Sequence, residues 1–239
     1  MCGRFDTSHL TWAEIHAALE TYSKVVTAPL NIEPNDDVRP TTKQVTARLG
    51  ADGGWVLEKM RWGLVPFWRN SKPIKDTEKG SNDGWKMTTF NARCEGVATA
   101  STFKGAFARR RCIIPADGFY EWRQSGSEKT PMFIHFEGQK VFGIAGLWEV
   151  WHSPDGSEVR TCTILTTDAN DFMQSIHNRM PVILHKEDYP LWLSPDEEPA
   201  PILQELMKPY SGDDLTAYPV SKMVNKPGND SPDLIQPVA

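Results

Sequence analysis

Apolar and polar positions follow two different periods along this chain, and the change of period marks its elements. Thr11-Trp12-Ala13-Glu14 has the form of a capping box, with Thr11 as N-cap and Glu14 reaching back to it. Ile15, Ala18, Leu19 and Tyr22 follow at helical spacing and predict a helix with one buried face. Pro29, Pro34 and Pro40 then impose an irregular stretch around Leu30-Asn31-Ile32-Glu33-Pro34. Val45–Leu49 and Trp55–Trp62 predict two strands joined by a turn at Asp52-Gly53-Gly54. The polar segment Arg69–Lys86 predicts a long loop, of a length that is usually functional or disordered.

From Cys112 the pattern turns to strands: Gly118–Gln124, Met132–Glu137, Val141–Trp151 and Val159–Thr167. The turns between them are short, which predicts an antiparallel meander. Residues 159–167 are only weakly amphipathic, as in a sheet covered on both faces. Asp168 is placed to cap a helix reaching Ser175. A strand at Pro181–Leu184, helices at Lys186–Leu193 and Ala200–Met207, and an irregular tail from Tyr218 complete the pattern. With no repeat and no dividing linker, residues 1–239 predict a single compact α+β domain on an antiparallel sheet with flanking helices.

Composition narrows the function classes. No apolar run is long enough for a membrane span, and the start of the chain has no secretory-signal pattern. Cys2, Cys94, Cys112 and Cys162 are widely spaced, which disfavours a disulfide scaffold or zinc ribbon and fits a reducing cytosol. The net charge of −5 hides a division. Residues 1–123 carry 18 Lys and Arg against 14 Asp and Glu, and the remainder carry 8 against 17. That division permits a basic face for phosphate on an acidic body, and folding could equally mix the two halves.

Cys2 is the most distinctive candidate. Without Met1 it would hold a thiol and a free α-amine, a 1,2-aminothiol that condenses with an aldehyde to a thiazolidine; otherwise it is an incidental small residue. Four patches accompany it. Trp62-Gly63-Leu64-Val65-Pro66-Phe67-Trp68 suggests a core Trp62, with Phe67 and Trp68 as a base-stacking platform or as further core. Asn91 offers a donor and an acceptor, and Arg93 a fork for phosphate, if they are not a turn residue and a solvated charge. Glu121, between Tyr120 and Trp122, is either a desolvated carboxyl raised towards neutrality or a strand residue turned to water. Arg109-Arg110-Arg111 reads more as a solvated charge run than as a phosphate site. His177, followed by Asn178-Arg179-Met180-Pro181, suits either a pocket or a structural hydrogen bond. The histidines show no metal-ligand spacing, so no metal or other cofactor is expected.

In this order, Met1–Phe5, Trp62–Trp68, Asn91–Arg93, Cys112–Trp122, His177–Pro181 and the tail Val220–Asn225 resemble the SOS response-associated peptidase (SRAP) family over nearly the whole chain. The resemblance implies a barrel-like sheet and a basic DNA channel. It implies Cys2 as nucleophile, Asn91, Glu121 and His177 as acid–base and positioning residues, and Arg4, Arg93 and Arg179 near DNA phosphates. Trp68, with Phe67 beside it, would lie at a DNA junction. The implied partner is single-stranded DNA containing an abasic site, at or near a junction with duplex, met by a cytoplasmic monomer that joins the nucleoid on damage. Self-processing peptidase and lyase-like reversal activities are also implied. The chain departs from the family's usual Tyr-Asn-x-Ala-Pro-Thr-Gln at Leu30–Asp36, keeping Asn31 and Pro34. The same residues also allow an N-terminal-nucleophile hydrolase, or a non-covalent single-strand binder with an inert Cys2.

Overall fold

The capping box at Thr11 forms. The Glu14 carboxylate accepts from the Thr11 N–H (3.0 Å) and hydroxyl (2.9 Å), and the Glu14 N–H donates to Thr11 Oγ1 (3.2 Å). In this computed structural model, which describes residues 2–20, 30–69, 89–138, 141–194, 196 and 198–238, the elements run β1 (Phe5–Asp6), α1 (Trp12–Glu20), β2 (Lys43–Leu49), β3 (Trp55–Trp62), β4 (Asn91–Arg93), α2 (Lys104–Arg109), β5 (Arg111–Ala116), β6 (Gly118–Ser125), β7 (Glu128–Phe136), β8 (Phe142–His152), β9 (Glu158–Asp168), α3 (Asp171–Gln174), β10 (Arg179–Pro181), β11 (Ile183–Leu184), α4 (Tyr189–Leu193), α5 (Ala200–Leu206) and β12 (Leu215–Pro219). Tyr22 and nearly all of the Arg69–Lys86 loop lie outside the described residues.

Strands β3, β2, β5, β8 and β9 pair in that order, and β9 returns to β3, which closes a five-stranded barrel. The closing pair is parallel, Arg61 beside Thr161 and Trp62 beside Cys162. Alternate residues of these strands divide between two cores, as period-two strands require. Val45, Leu57, Ile113, Leu147 and Leu165 pack outward beneath Ile15, Leu19, Phe107 and Trp192 of the helices. Met60, Cys112, Ile114, Ile144, Cys162 and Ile164 share the other core. The weak amphipathicity of β9 has this cause. At Gly146 a Cβ would sit 2.6 Å from Ile114 Cδ1 and 3.0 Å from Cys112 Sγ, so the barrel wall needs glycine there.

A second sheet, β1-β6-β7-β12, lies apart from the barrel strands in pairing. The expected meander is therefore broken: β7 pairs with β6 and β12 and leaves β8 to the barrel. The physical difference is exposure. The β6–β7 hairpin has a solvated tip, whereas β8 is buried over most of its length and needs neighbours on both edges. The tail expected to be irregular from Tyr218 supplies the end of β12, because Leu215–Pro219 covers the free edge of β7. Asn170, not Asp168, caps α3: its side chain accepts from the Met173 N–H at 2.9 Å. Arg111 is no solvated charge. It is buried at the start of β5, where it donates to the carbonyls of Phe107, Ala108 and Trp192 at 2.6–2.7 Å and also to those of Ser194 and Asp196. Among the described residues, no helix is long and apolar enough to cross a membrane.

Candidate active site

The chain's first residues are threaded into the second sheet before any helix forms. Phe5 pairs with Phe119 on one side and exchanges two hydrogen bonds with Val38 on the other, at 3.1 and 3.0 Å. The Tyr120 N–H donates to Arg4 O at 3.0 Å and continues that register toward the terminus. Extended by one more residue, the register sets position 3 opposite Glu121. Phe5 packs on Trp62 with ring centroids 5.0 Å apart, and Trp62 donates its indole N–H to Phe90 O at 2.7 Å. Trp62 is core, fully buried.

This threading buries Cys2 to 1 % exposure within the core that fills the barrel. Asn91, at the start of β4, donates Nδ2 to Cys2 O at 2.8 Å. Its Oδ1 has no partner among the described residues, although the residue is only 8 % exposed. β4 is held there by parallel pairing of Asn91–Arg93 with Ile164–Thr166 of β9.

Glu121 lies on the Phe119 face of β6 and not on the Tyr120–Trp122 face, as alternation dictates. That face packs into the core shared with Cys2, Met60 and Ile114, so Glu121 is 2 % exposed instead of solvated. Burial raises its carboxyl above the usual range, and His177 opposes the shift. Trp122 is pinned by its indole N–H to Asn225 Oδ1 at 2.7 Å, which fixes the strand next to Glu121. The Cys2 thiol is pushed far up, first by burial and then by the Glu121 charge.

His177 Nε2 is 4.0 Å from Glu121 Oε2. The Arg179 N–H donates to His177 Nδ1 at 3.0 Å, and the same nitrogen lies 3.2 Å from Arg179 O, which anchors the ring with Nε2 turned towards Glu121. Cys2, Asn91, Glu121 and His177 thus come from four separate parts of the chain and adjoin one another in turn: Asn91 with Cys2, Cys2 with Glu121, Glu121 with His177.

The arginines divide. Arg93 is exposed on β4. Arg4 and Arg179, expected near phosphate, are committed elsewhere. Arg4 pairs with the buried Asp37 at 3.2 Å. Arg179 binds Glu95 through both terminal nitrogens, at 2.5 and 3.0 Å, together with Asp168 at 2.7 Å and Thr166 O at 2.7 Å. The reason is local. Both arginines are buried, and a buried guanidinium requires carboxylate or carbonyl partners. Sequence reasoning missed Asp37, Glu95 and Asp168; nothing in their spacing marks them as partners. Phe67 and Trp68 are 62 % and 55 % exposed. They follow Leu64 and Val65, which are anchored by hydrogen bonds to Thr89 O and Thr161 Oγ1. A cavity of about 580 Å³, bounded by Asn170, Tyr210 and Asp213 among others, takes in none of these residues.

With that geometry in place, comparison with known proteins gives a consistent result. The family model for SOS response-associated peptidase (SRAP) matches residues 1–227. The chain belongs to the SOS response-associated peptidase family. A Bacillus subtilis relative, "Abasic site processing protein YoqW", is 38 % identical over 238 residues, which is 99 % of each chain. The chicken "Abasic site processing protein HMCES" is 34 % identical over 205 residues, 77 % of this chain and 58 % of that one. A crystal structure of a Bacteroides thetaiotaomicron protein superposes over the full length of both chains with a TM-score of 0.81 at 24 % identity, a likeness of fold. The SRAP fold is thus the five-stranded barrel with its added strands and helices described above.

Proposed function

We propose that this SRAP protein senses abasic sites in single-stranded DNA and captures them covalently through Cys2 once Met1 has been removed. The observation that carries the reading is Cys2 itself: the second residue, buried, its carbonyl held by Asn91 and its thiol under the field of Glu121. The names of the relatives, abasic site processing proteins, support the substrate class.

An abasic sugar equilibrates between a closed hemiacetal and an open aldehyde. Glu121, which holds its proton to a higher pH than an ordinary carboxyl, donates during ring opening and water loss, and His177 beside it completes the relay. The Cys2 amine adds to C1′ and expels water, which leaves an imine. The Cys2 sulfur then bonds to the same carbon as the imine accepts a proton, and a neutral thiazolidine results. Only the amine can carry C1′ to an imine, so the sulfur closes the ring after it. The names of the relatives favour abasic DNA over the hydrolase reading, which would use the same thiol. Closing the ring removes the electron sink that would promote β-elimination, so the strand stays intact. Exposed Arg93 supplies phosphate affinity without base specificity, and Phe67 and Trp68 stack on bases beside the lesion, including at a duplex junction. The protein acts as one domain and one monomer, in the cytoplasm and at the nucleoid after damage. Reversal of the link runs through the same Glu121 and His177, and self-removal of Met1 would use the same thiol.

The test combines intact mass with a denaturing gel. Mature protein lacking Met1, incubated with abasic single-stranded DNA, gains the mass of the oligonucleotide minus one water. Cys2→Ala and Cys2→Ser give no heat-stable adduct, only an imine that borohydride must trap. Equal, heat-stable adduct from Cys2→Ala would refute the reading.

A further inference from the structure

Asp6, His9 and Asp117 meet away from the residues assigned above. Asp6 ends β1, His9 lies in the turn after it, and Asp117 sits between β5 and β6. One ligand atom from each lies within 4.8 Å of the other two. Both carboxylates are buried and the imidazole is exposed. The three help to line a cavity of about 300 Å³ walled by Phe133, His135 and Tyr218. The spacing could not be read from the sequence, because His9 and Asp117 are 108 residues apart.

The arrangement is held by its own bonds. The His9 N–H donates to Asp117 Oδ2 at 2.7 Å. Ser8 donates its N–H and its hydroxyl to the Asp6 carboxylate, at 3.3 and 3.0 Å. Ser8 Oγ is also 3.2 Å from His9 Nδ1, so one hydroxyl ties the ring to the carboxylate. A separate observation points to a cation. Asp36 is 4 % exposed, its Oδ1 has no partner among the described residues, and its carboxylate stands within electrostatic reach of both Asp6 and His9. Neither Asp6 nor Asp36 has a Lys or Arg ion-pair partner among the described residues. Buried carboxylates converging in this way are relieved by a shared proton or by a bound cation.

We propose that Asp6, His9 and Asp117 form a site for a divalent first-row metal of the Mn²⁺ or Zn²⁺ class. Mixed carboxylate and imidazole donors suit such ions better than Ca²⁺ or Mg²⁺. Metal–ligand bonds of about 2.0–2.2 Å at tetrahedral angles would draw the donor atoms together by up to roughly 1.5 Å, and the exposed His9 turn supplies that movement. Water from the cavity completes the coordination. The ion would fasten the end of β1 to the β5–β6 connection, four residues from Cys2, and so hold the strand that carries the nucleophile.

The experiment uses untagged, chelator-treated protein and Mn²⁺, which buried thiols bind weakly. Calorimetry should show saturable 1:1 binding, with a Tm that rises as Mn²⁺ is increased above its Kd. His9→Ala, at an exposed position, should fold normally and bind at least 10-fold more weakly. Asp117→Asn should abolish the Tm response, with Zn²⁺ reproducing the pattern at lower concentration. No saturable Mn²⁺ binding up to 1 mM, or His9→Ala binding with wild-type Kd and stoichiometry, would overturn the site.

Discussion

Glu121→Gln separates chemistry from stability, because the two readouts should move in opposite directions. Gln has the shape and hydrogen-bonding reach of the carboxyl but neither ionises nor donates an acid proton. General acid–base groups contribute about 10²–10⁴ in rate, or about 3–5 kcal/mol of barrier at ~1.36 kcal/mol per tenfold. Single-turnover capture of a labelled abasic oligonucleotide, read on a denaturing gel, should slow by about that factor. The folded-state carboxyl is raised above its unfolded value. The neutral form is therefore the one that folding favours. Its stabilisation is complete below the unfolded carboxyl range and is lost as pH rises through the folded pKa. Gln is always neutral, so the variant should match or exceed the wild-type Tm at pH 7–8, and the fall of Tm with rising pH should flatten. A capture rate within threefold of wild type would refute the assigned role. A rate loss accompanied by a comparable loss of Tm would refute it equally, since Glu121 would then be structural.

Removing both exposed aromatics, Phe67→Ala with Trp68→Ala, should leave Tm unchanged. Single-strand affinity should weaken by about 1–3 kcal/mol per lost stack, measured by fluorescence anisotropy; unchanged affinity would move the stacking surface elsewhere. Arg111→Ala strips the carbonyl clamp between α2 and α4. At about 3 kcal/mol or more for an uncompensated buried network and roughly 2–4 °C per kcal/mol for a chain of this size, Tm should fall by about 6 °C or more in calorimetry, while DNA binding by the folded fraction persists. Asn91→Ala leaves the buried Cys2 carbonyl without its donor, a cost of about 1–3 kcal/mol. Capture should slow by about tenfold or more if that bond positions the amine, and a wild-type rate would dismiss the contact.

What could be read in advance was local. The β2–β3 hairpin follows from Asp52-Gly53-Gly54, where Gly53 adopts φ +76°, and α1 follows from its capping box. The weak amphipathicity of β9 announced cover on both faces without saying what the cover was. The closure of β9 onto β3 was out of reach, because the parallel pairing of Arg61 with Thr161 depends on a crossover of a hundred residues and leaves no local mark. The departure of β8 from β7 was hidden in the same way: a short turn suggests pairing, but edge exposure decides it. At the site, residue types were legible and their commitments were not. An arginine in a motif looks free to meet phosphate until the fold brings Asp37 to Arg4 and Glu95 to Arg179.

The insertion of Phe5 between β6 and Val38 holds the amino-terminal strand on both edges. Under the capture reading proposed above, an amino-terminal fusion or an acetylated first residue would leave the barrel standing and its reagent capped, so affinity tags belong at the far end.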